Sequence, residues 1–374
     1  MRKIFSHDMM EVTLYITLGI QVLYYTLLIT KIFFNKQNTK IVNNADLPVS
    51  VIICARNEAA HLQKNLTSIL NQDYPVFEVI VVDDASVDQT AVILQEFSLK
   101  YPQLKTITIR PEEKKTKGKK AALQKGIAHA THTFLLMTDA DCWVTSNSWI
   151  RQMTAQFTDK QQLVLGAAPY LNQGQFLHDV VDYETLTTLI QYMGFAAWKQ
   201  PYMGVGRNIA YTQALYQKVG GFQSHAHIAS GDDDLFVQEA VLHTQAAICL
   251  APEARMYSEA PTTWQQWWNQ KIRHYSTGGT YRIAHQIFLA IFTLSKALIY
   301  FIFLYLMLKG QFTIKIFVSY LLYISILSTL LFLFSKRYTF KLKWYKIMFL
   351  DVIYSWTVIL QGLQSKLTEN IKWK

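Results

Sequence analysis

The sequence predicts an α/β domain on an open, twisted sheet, carried between apolar segments long enough to cross a membrane. Three observations predict it. Short apolar runs alternate with helix-period segments from Pro48 onward. Several of those runs end abruptly in acidic residues, as buried strands do where they reach the edge of a sheet. Long stretches almost free of charge lie near the N-terminus and beyond Ile287.

Composition narrows the function classes. The formal net charge of +10 invites a nucleic-acid reading. No zinc-finger spacing or RNA-binding aromatic pattern accompanies it, and many lysines flank apolar runs, as at a cytoplasmic membrane face. The expected partners therefore include membrane lipids and no nucleic acid. Cys54, Cys142 and Cys249 lie far apart and show no pair spacing, which reads as reduced, buried small hydrophobes.

Val12–Thr30 is an uncharged run long enough, at 1.5 Å per residue, to span a bilayer core of about 30 Å. It exceeds a signal-peptide core and no small-residue cleavage site follows, so residues 1–34 read as an uncleaved anchor. Residues 35–47 are polar, a linker. Residues 48–263 then carry the α/β pattern. The run Pro48–Cys54 leads into Ala55-Arg56-Asn57-Glu58, with Leu62, Leu66, Ile69 and Leu70 at helical spacing. A second strand, Phe77–Val82, ends in Asp83-Asp84-Ala85-Ser86, and Thr106–Ile109 is a third. Gly118-Lys119-Lys120-Ala121-Ala122-Leu123 opens a helix. Phe134–Met137 runs into Thr138-Asp139-Ala140-Asp141, the pair around which the domain is organised. On one strand, residues two apart share a face with Cα atoms about 6.5–7 Å apart, so the two carboxylates repel unless a cation or ligand lies between them. Polar residues gathered at strand ends place the ligand crevice along that edge.

Further on, Leu163–Ala167 reads as a strand and Phe176–Tyr192 as a helix. Gly204-Val205-Gly206-Arg207-Asn208 is a glycine-punctuated loop, and Gly231-Asp232-Asp233-Asp234 is a run of three acids. Trp264, Trp267 and Trp268 stand at i, i+3 and i+4, with Lys271, Arg273 and His274 adding charge. That suits a helix lying at the membrane interface over residues 264–286. Residues 287–374 hold two or three spans. In Ile287–Leu308, Lys296 costs about 2.5–3.5 kcal/mol at mid-bilayer, offset by fourteen Leu, Ile and Phe residues. Phe317–Phe334 is the next span. Ile347–Leu363 contains Asp351 and either spans or lies on the surface. The basic loop Lys336–Lys346 is expected to be cytoplasmic, which places the α/β domain on the same side two spans back.

Taken together, Val51–Glu58, Val82-Asp83-Asp84, Gly118-Lys119, Thr138-Asp139-Ala140-Asp141, Gly231-Asp232 and Gln270-x-x-Arg273 resemble the ordered signature of family 2 glycosyltransferases. The resemblance covers about Pro48 to His274, and the apolar flanks are similar to those of the integral-membrane members, of the ceramide-glucosyltransferase and polysaccharide-synthase groups. It implies a GT-A-type nucleotide-sugar-binding fold and an inverting transfer from a nucleotide-sugar donor to a lipid or lipid-linked acceptor, on the cytoplasmic side of a bacterial inner membrane. It also implies site residues. Asp84 would hold the nucleotide base and Asp139 its ribose or base, with Lys119 on the donor side. Asp141 would hold a divalent cation, Mg or Mn, which neutralises the departing diphosphate. Asp232 would be the general base. Gln270 and Arg273 would lie over the diphosphate, Arg273 pairing with phosphate oxygens through its planar fork.

The match has two departures. Ser230-Gly231 stands where Thr-Glu is usual, which leaves the base as Asp232 or Asp233, and Asp234 as a cap for the following helix. His274 replaces the usual tryptophan after Arg273, which weighs against a polymer-threading synthase. Asp83 and Asp84 also fit a plain turn, Lys114–Lys120 a solvated loop, and His129 and His132 surface positions. The competing functions are a processive polysaccharide synthase and a catalytically silent membrane scaffold.

Overall fold

A computed structural model describes residues 7–35, 47–110, 112, 118–228 and 230–368. Most of the expected linker, and Lys114, Lys115 and Lys117, lie outside the described residues. The chain divides into two compact units. Of the described residues, one comprises those within Asn35–Asn172 and Phe195–Pro261, the other 7–34, Gln173–Gly194 and Thr262–Thr368.

The first unit is built on a seven-stranded mixed sheet. Its strands are β1 (Val49–Ala55), β2 (Phe77–Asp84), β3 (Leu104–Ile109), β4 (Phe134–Asp139), β6 (Leu163–Gly166), β8 (Ile209–Thr212) and β9 (Ala246–Cys249). The order is β3-β2-β1-β4-β8-β6-β9. The four strands on the β3 side run parallel, β8 runs antiparallel to both its neighbours, and β6 pairs parallel with β9. Val49, Val51, Ile52, Ile53, Val79, Ile80, Val81 and Val82 are all buried. Covering both faces of the sheet is why these runs are continuously apolar instead of alternating. Helices α2 (Ala59–Leu70), α3 (Thr90–Lys100) and α4 (Lys120–Ala128) follow β1, β2 and β3. A second, three-stranded sheet, in the order β5-β10-β7, comes from β5 (Trp143–Val144), β7 (Tyr170–Leu171) and β10 (Met256–Glu259).

Register fixes the functional edge. Cys54 pairs with Asp139 across β1–β4, and Ala55 with Asp83 across β1–β2. The acids that end β2 and β4 therefore flank the C-terminal end of β1, at the carboxyl edge where open α/β sheets bind ligands. Behind that edge Asn208, fully buried, ties several segments together. Its Nδ2 donates to Ala167 O and Ala254 O, each at 2.8 Å, and its Oδ1 accepts from Trp149 Nε1 at 3.0 Å, on α5 (Trp149–Thr154).

The second unit is helical: α1 (His7–Phe34), α6 (Phe176–Ala197), α9 (Trp264–Tyr275), α10 (Ile283–Leu308), α11 (Ile314–Arg337) and α12 (Ile347–Leu367). Among the described residues four helical stretches are long and apolar enough to cross a membrane: His7–Phe34, Ile283–Leu308, Ile314–Arg337 and Trp344–Leu367. The segment around Asp351 is thus one of them. Asp351 and Lys296, which the sequence presents as two separate burdens, are ion-paired and buried. Asp351 also accepts hydrogen bonds from Tyr183 and Tyr300 at 2.5 Å each and from Tyr323 at 3.1 Å. One carboxylate so joins α6, α10, α11 and α12.

Helix α9 turns part of its aromatic face toward α6 and α12. Thr263 and Gln266 form a capping box at its start. Trp267 is buried and donates to Glu184 Oε2 on α6 at 2.8 Å, Lys271 pairs with the same oxygen at 3.0 Å, and Trp268 donates to Gln364 on α12 at 2.7 Å. Tryptophan suits a bilayer surface and a protein interior equally, because both offer an apolar body a place beside a polar partner. Here part of that face is turned into protein. Lys343 and Lys346 of the basic loop share Asp179, at the start of α6, at 2.8 and 2.5 Å.

Candidate active site

The edge is assembled from interlocked turns. The chain turns sharply after β1 and β2, with Asn57 and Ala85 in the left-handed region at φ 56° and 57°. Asn57 Oδ1 accepts from Val87 N at 2.9 Å, Ser86 Oγ accepts from Asn57 N at 2.9 Å, and Asp83 Oδ1 accepts from Ser86 N at 3.0 Å. Asp83 accordingly does the work of a turn residue. Asp84 is the buried acid at the end of β2.

Lys119 is the centre of the arrangement. Only 8% exposed, its ammonium lies 2.8 Å from Asp139 Oδ1 and 3.0 Å from Asp232 Oδ2. Burial opposes its charge, but the two carboxylates outweigh that and hold its pKa well above the ordinary lysine value. Asp139 ends β4, yet Asp141 is not on the strand as the two-residue spacing suggested. It sits in the turn to β5, where Cys142 N donates to Asp139 O at 3.2 Å. The turn, not strand alternation, brings ligand atoms of Asp139, Asp141 and Cys142 within 4.8 Å of one another. Two carboxylates from one turn suit a hard divalent cation that keeps other positions for phosphate oxygens. Burial pushes the Cys142 thiol well up, and its Sγ donates to Asp141 Oδ1 at 3.4 Å.

The acid run resolves into separate roles. Asp233, not Asp234, caps the helix α8 (Asp234–Ala240): its Oδ1 accepts from Asp234 N at 2.8 Å and its Oδ2 from Gly206 N at 2.7 Å. Asp234 lies buried within the first turn. Asp232 is the member that reaches Lys119. Gly206 brings its backbone close to both; a β-carbon there would meet Lys119 Nζ at 3.2 Å and Asp233 Oδ2 at 3.3 Å.

Burial, reinforced by Asp232 and Asp234, pushes the Asp233 carboxyl up to about 7 from its ordinary 3.8. The folded chain then keeps this proton where the unfolded chain has released it. The stability it contributes is fully present below about pH 4 and is lost as pH rises through about 7. Melting temperature followed between pH 4 and 8 is expected to fall less steeply in Asp233→Asn than in the parent. Parallel curves would contradict that proton.

Two groups escaped sequence reading. In the sequence Arg207 is overshadowed by the glycines beside it. Its guanidinium stacks on the Tyr170 ring, 4.1 Å from the centroid, and donates to Ser258 Oγ, which sets a cation near Asp141. Lys120, expected in solvent, is 1% exposed. The only available signal was its place beside Lys119. Gln270 and Arg273 lie on α9, in the helical unit; Arg273 Nη2 is 3.4 Å from His274 Nε2.

Residues 50–220 match the family model described as Glycosyl transferase family 2. A 239-residue stretch is 30% identical to the probable glycosyltransferase YdaM of Bacillus subtilis (strain 168), covering 62% of this chain and 55% of that one. Over 101 residues the chain is 34% identical to the beta-monoglucosyldiacylglycerol synthase of Nostoc sp. (strain PCC 7120), 26% of this chain and 21% of that one. The chain thus matches about half, or less, of these relatives' length. In fold it is similar to the mannosyltransferase PcManGT from Pyrobaculum calidifontis, solved in complex with GDP-Man and Mn2+. The TM-score is 0.63 at 17% identity, covering 96% of this chain and 99% of that one. The sheet unit has the GT-A-like fold, and it is residues 50–220 that match the family 2 glycosyltransferase model.

Proposed function

We propose that the protein is a membrane-bound, inverting hexosyltransferase that moves a sugar from a nucleotide-sugar donor to a lipid or lipid-linked acceptor. The observation that carries this reading is Lys119, whose single ammonium spans Asp139 on the donor side and Asp232 on the acceptor side. Such a bridge puts the two halves of a one-step displacement within a few ångströms of each other.

Asp84, buried at the end of β2, would read the nucleoside. Asp139 and Asp141 would hold a divalent cation, which supplies Lewis-acid stabilisation of the charge growing on the diphosphate. Arg207 and Lys119 add positive charge along the same edge. Asp232 removes the proton of the acceptor hydroxyl on the face opposite the leaving group. Asp233, held at both oxygens by backbone N–H groups, is thereby committed to the helix cap. Gln270 and Arg273 are assigned to the diphosphate by the family resemblance alone. The four apolar helices support a membrane setting, and the glucosyldiacylglycerol synthase relative supports a lipid acceptor.

Transfer by detergent-purified protein, assayed with UDP- and GDP-sugars and a bilayer lipid extract with and without manganese, tests the reading. No turnover of any donor, with no thermal stabilisation by any, would leave the scaffold reading. Products of more than one added sugar would indicate polymerisation. Chelation is expected to abolish transfer, and Asp141→Asn to weaken metal-dependent nucleotide binding together with turnover. Full activity after chelation would remove the cation from the scheme.

Nucleotide sugars are cytosolic and the Lys336–Lys346 loop is strongly basic, so the catalytic unit is assigned to the cytoplasmic side of a bacterial inner membrane. A cysteine placed at Gln103 is expected to resist an impermeant thiol reagent in intact cells; ready labelling would reverse the topology.

A further inference from the structure

Lys119 and Lys120 begin α4 side by side but their side chains go to opposite ends of one segment. Lys119 reaches Asp232. Lys120 Nζ donates to the main-chain oxygens of His225, at 2.6 Å, and Ile228, at 2.9 Å. A charge this deeply buried is tolerated only where carbonyls or acids answer it. Burial draws the Lys120 pKa down, while Asp232, Asp234 and Asp233 act against that. The far side of the segment is held as well, with Ser224 Oγ donating to Glu239 Oε1 on α8 at 2.5 Å. Between the two lysine contacts lies Gly231, at φ 93°, where a β-carbon would sit 2.6 Å from Leu235. The chain thus closes a ring: from α4 through Lys120 to His225 and Ile228, along to Asp232, and back through Lys119 to α4.

We infer that Lys120 is a positioning residue that fixes the approach of the Asp232 carboxylate by holding the 225–228 turn against α4. This rests on the proposed role of Asp232 as base. Lys119 and the Asp233 cap hold only the C-terminal end of the segment, so without Lys120 its other end could swing about them. Two anchors on successive residues remove that freedom. The price of a misplaced base is steep, since a displacement of about 1 Å costs roughly 10²-fold.

The test compares the parent protein with Lys120→Met, which keeps the length of the side chain without its donors, and Lys120→Arg, which keeps charge and donors. In Lys120→Met, amide hydrogen exchange over residues 226–232 is expected to accelerate at least tenfold while exchange in β1, β2 and β4 stays unchanged. Turnover is expected to fall about 10–100-fold, with nucleotide affinity within about twofold and the acceptor KM little changed. Lys120→Arg is expected to restore most of the protection and of the turnover. Unchanged exchange at 226–232 in Lys120→Met overturns the anchor. Faster exchange with normal turnover overturns its catalytic relevance, and lost nucleotide affinity moves Lys120 to the donor site. Exchange across the whole sheet unit would mean a merely structural lysine. If the parent shows no transfer, the proposed function fails by itself, and the exchange experiment still decides whether Lys120 holds the turn.

Discussion

Asp232→Asn is expected to lower turnover by about 10²–10⁴-fold, roughly 3–5 kcal/mol of transition-state stabilisation, with nucleotide affinity nearly intact. The change is almost isosteric, so the Lys119 ammonium can still donate to a neutral amide oxygen while the proton acceptor is lost. The neighbours make the controls informative. Asp233 accepts from two backbone N–H groups, so Asp233→Asn is expected to disturb the cap of α8 and the Gly206 turn more than the chemistry. Asp234→Asn, inside the first turn, should behave likewise. Turnover per folded molecule and donor affinity, measured for all three, separate the roles. Normal turnover in Asp232→Asn with loss in Asp233→Asn would shift the base by one residue.

The second large effect belongs to the helical unit. Removing one partner of the Lys296–Asp351 pair, as Lys296→Met or Asp351→Leu, is expected to destabilise by about 3–5 kcal/mol, because the other charge is left buried without its counter-ion. The double variant should be closer to the parent than either single one, since it removes both desolvation costs at once. Thermal unfolding in detergent reads the cycle. Asp351 also anchors three tyrosines, so Asp351→Leu should be the worse of the two singles. Additive effects in the double variant would mean that the pair is not coupled.

The ordered acids and the strands they terminate were legible because apolar runs buried on both faces leave a clear imprint, and their ends expose the residues that face the ligand. The strands of two to four residues, β5 to β10, were mostly invisible, being shorter than any periodicity can register. The place of Asp141 was misread because a tight turn and a strand put residues two apart near one another equally well. Lys120 was hidden in a basic run, and whether a lysine is buried depends on distant carbonyls, here those of residues 225 and 228. Pattern reading assigned a cost to Lys296 and a doubt to Asp351, but it names no partners. The family resemblance supplied roles for single residues, whereas the division of labour among Asp232, Asp233 and Asp234 needed coordinates.

The Lys296–Asp351 pair has a consequence for synthesis. The two residues are 55 positions apart, and at about 5–20 residues per second the ribosome needs roughly 3–10 s to pass from one to the other. During that interval α10 has left the ribosome carrying a lysine whose counter-ion does not yet exist. A nascent helix in that condition is best sheltered beside the translocon, or snorkelling toward headgroups, until α12 arrives. Truncation between α11 and α12 would therefore leave Lys296 in an apolar helix without its counter-ion.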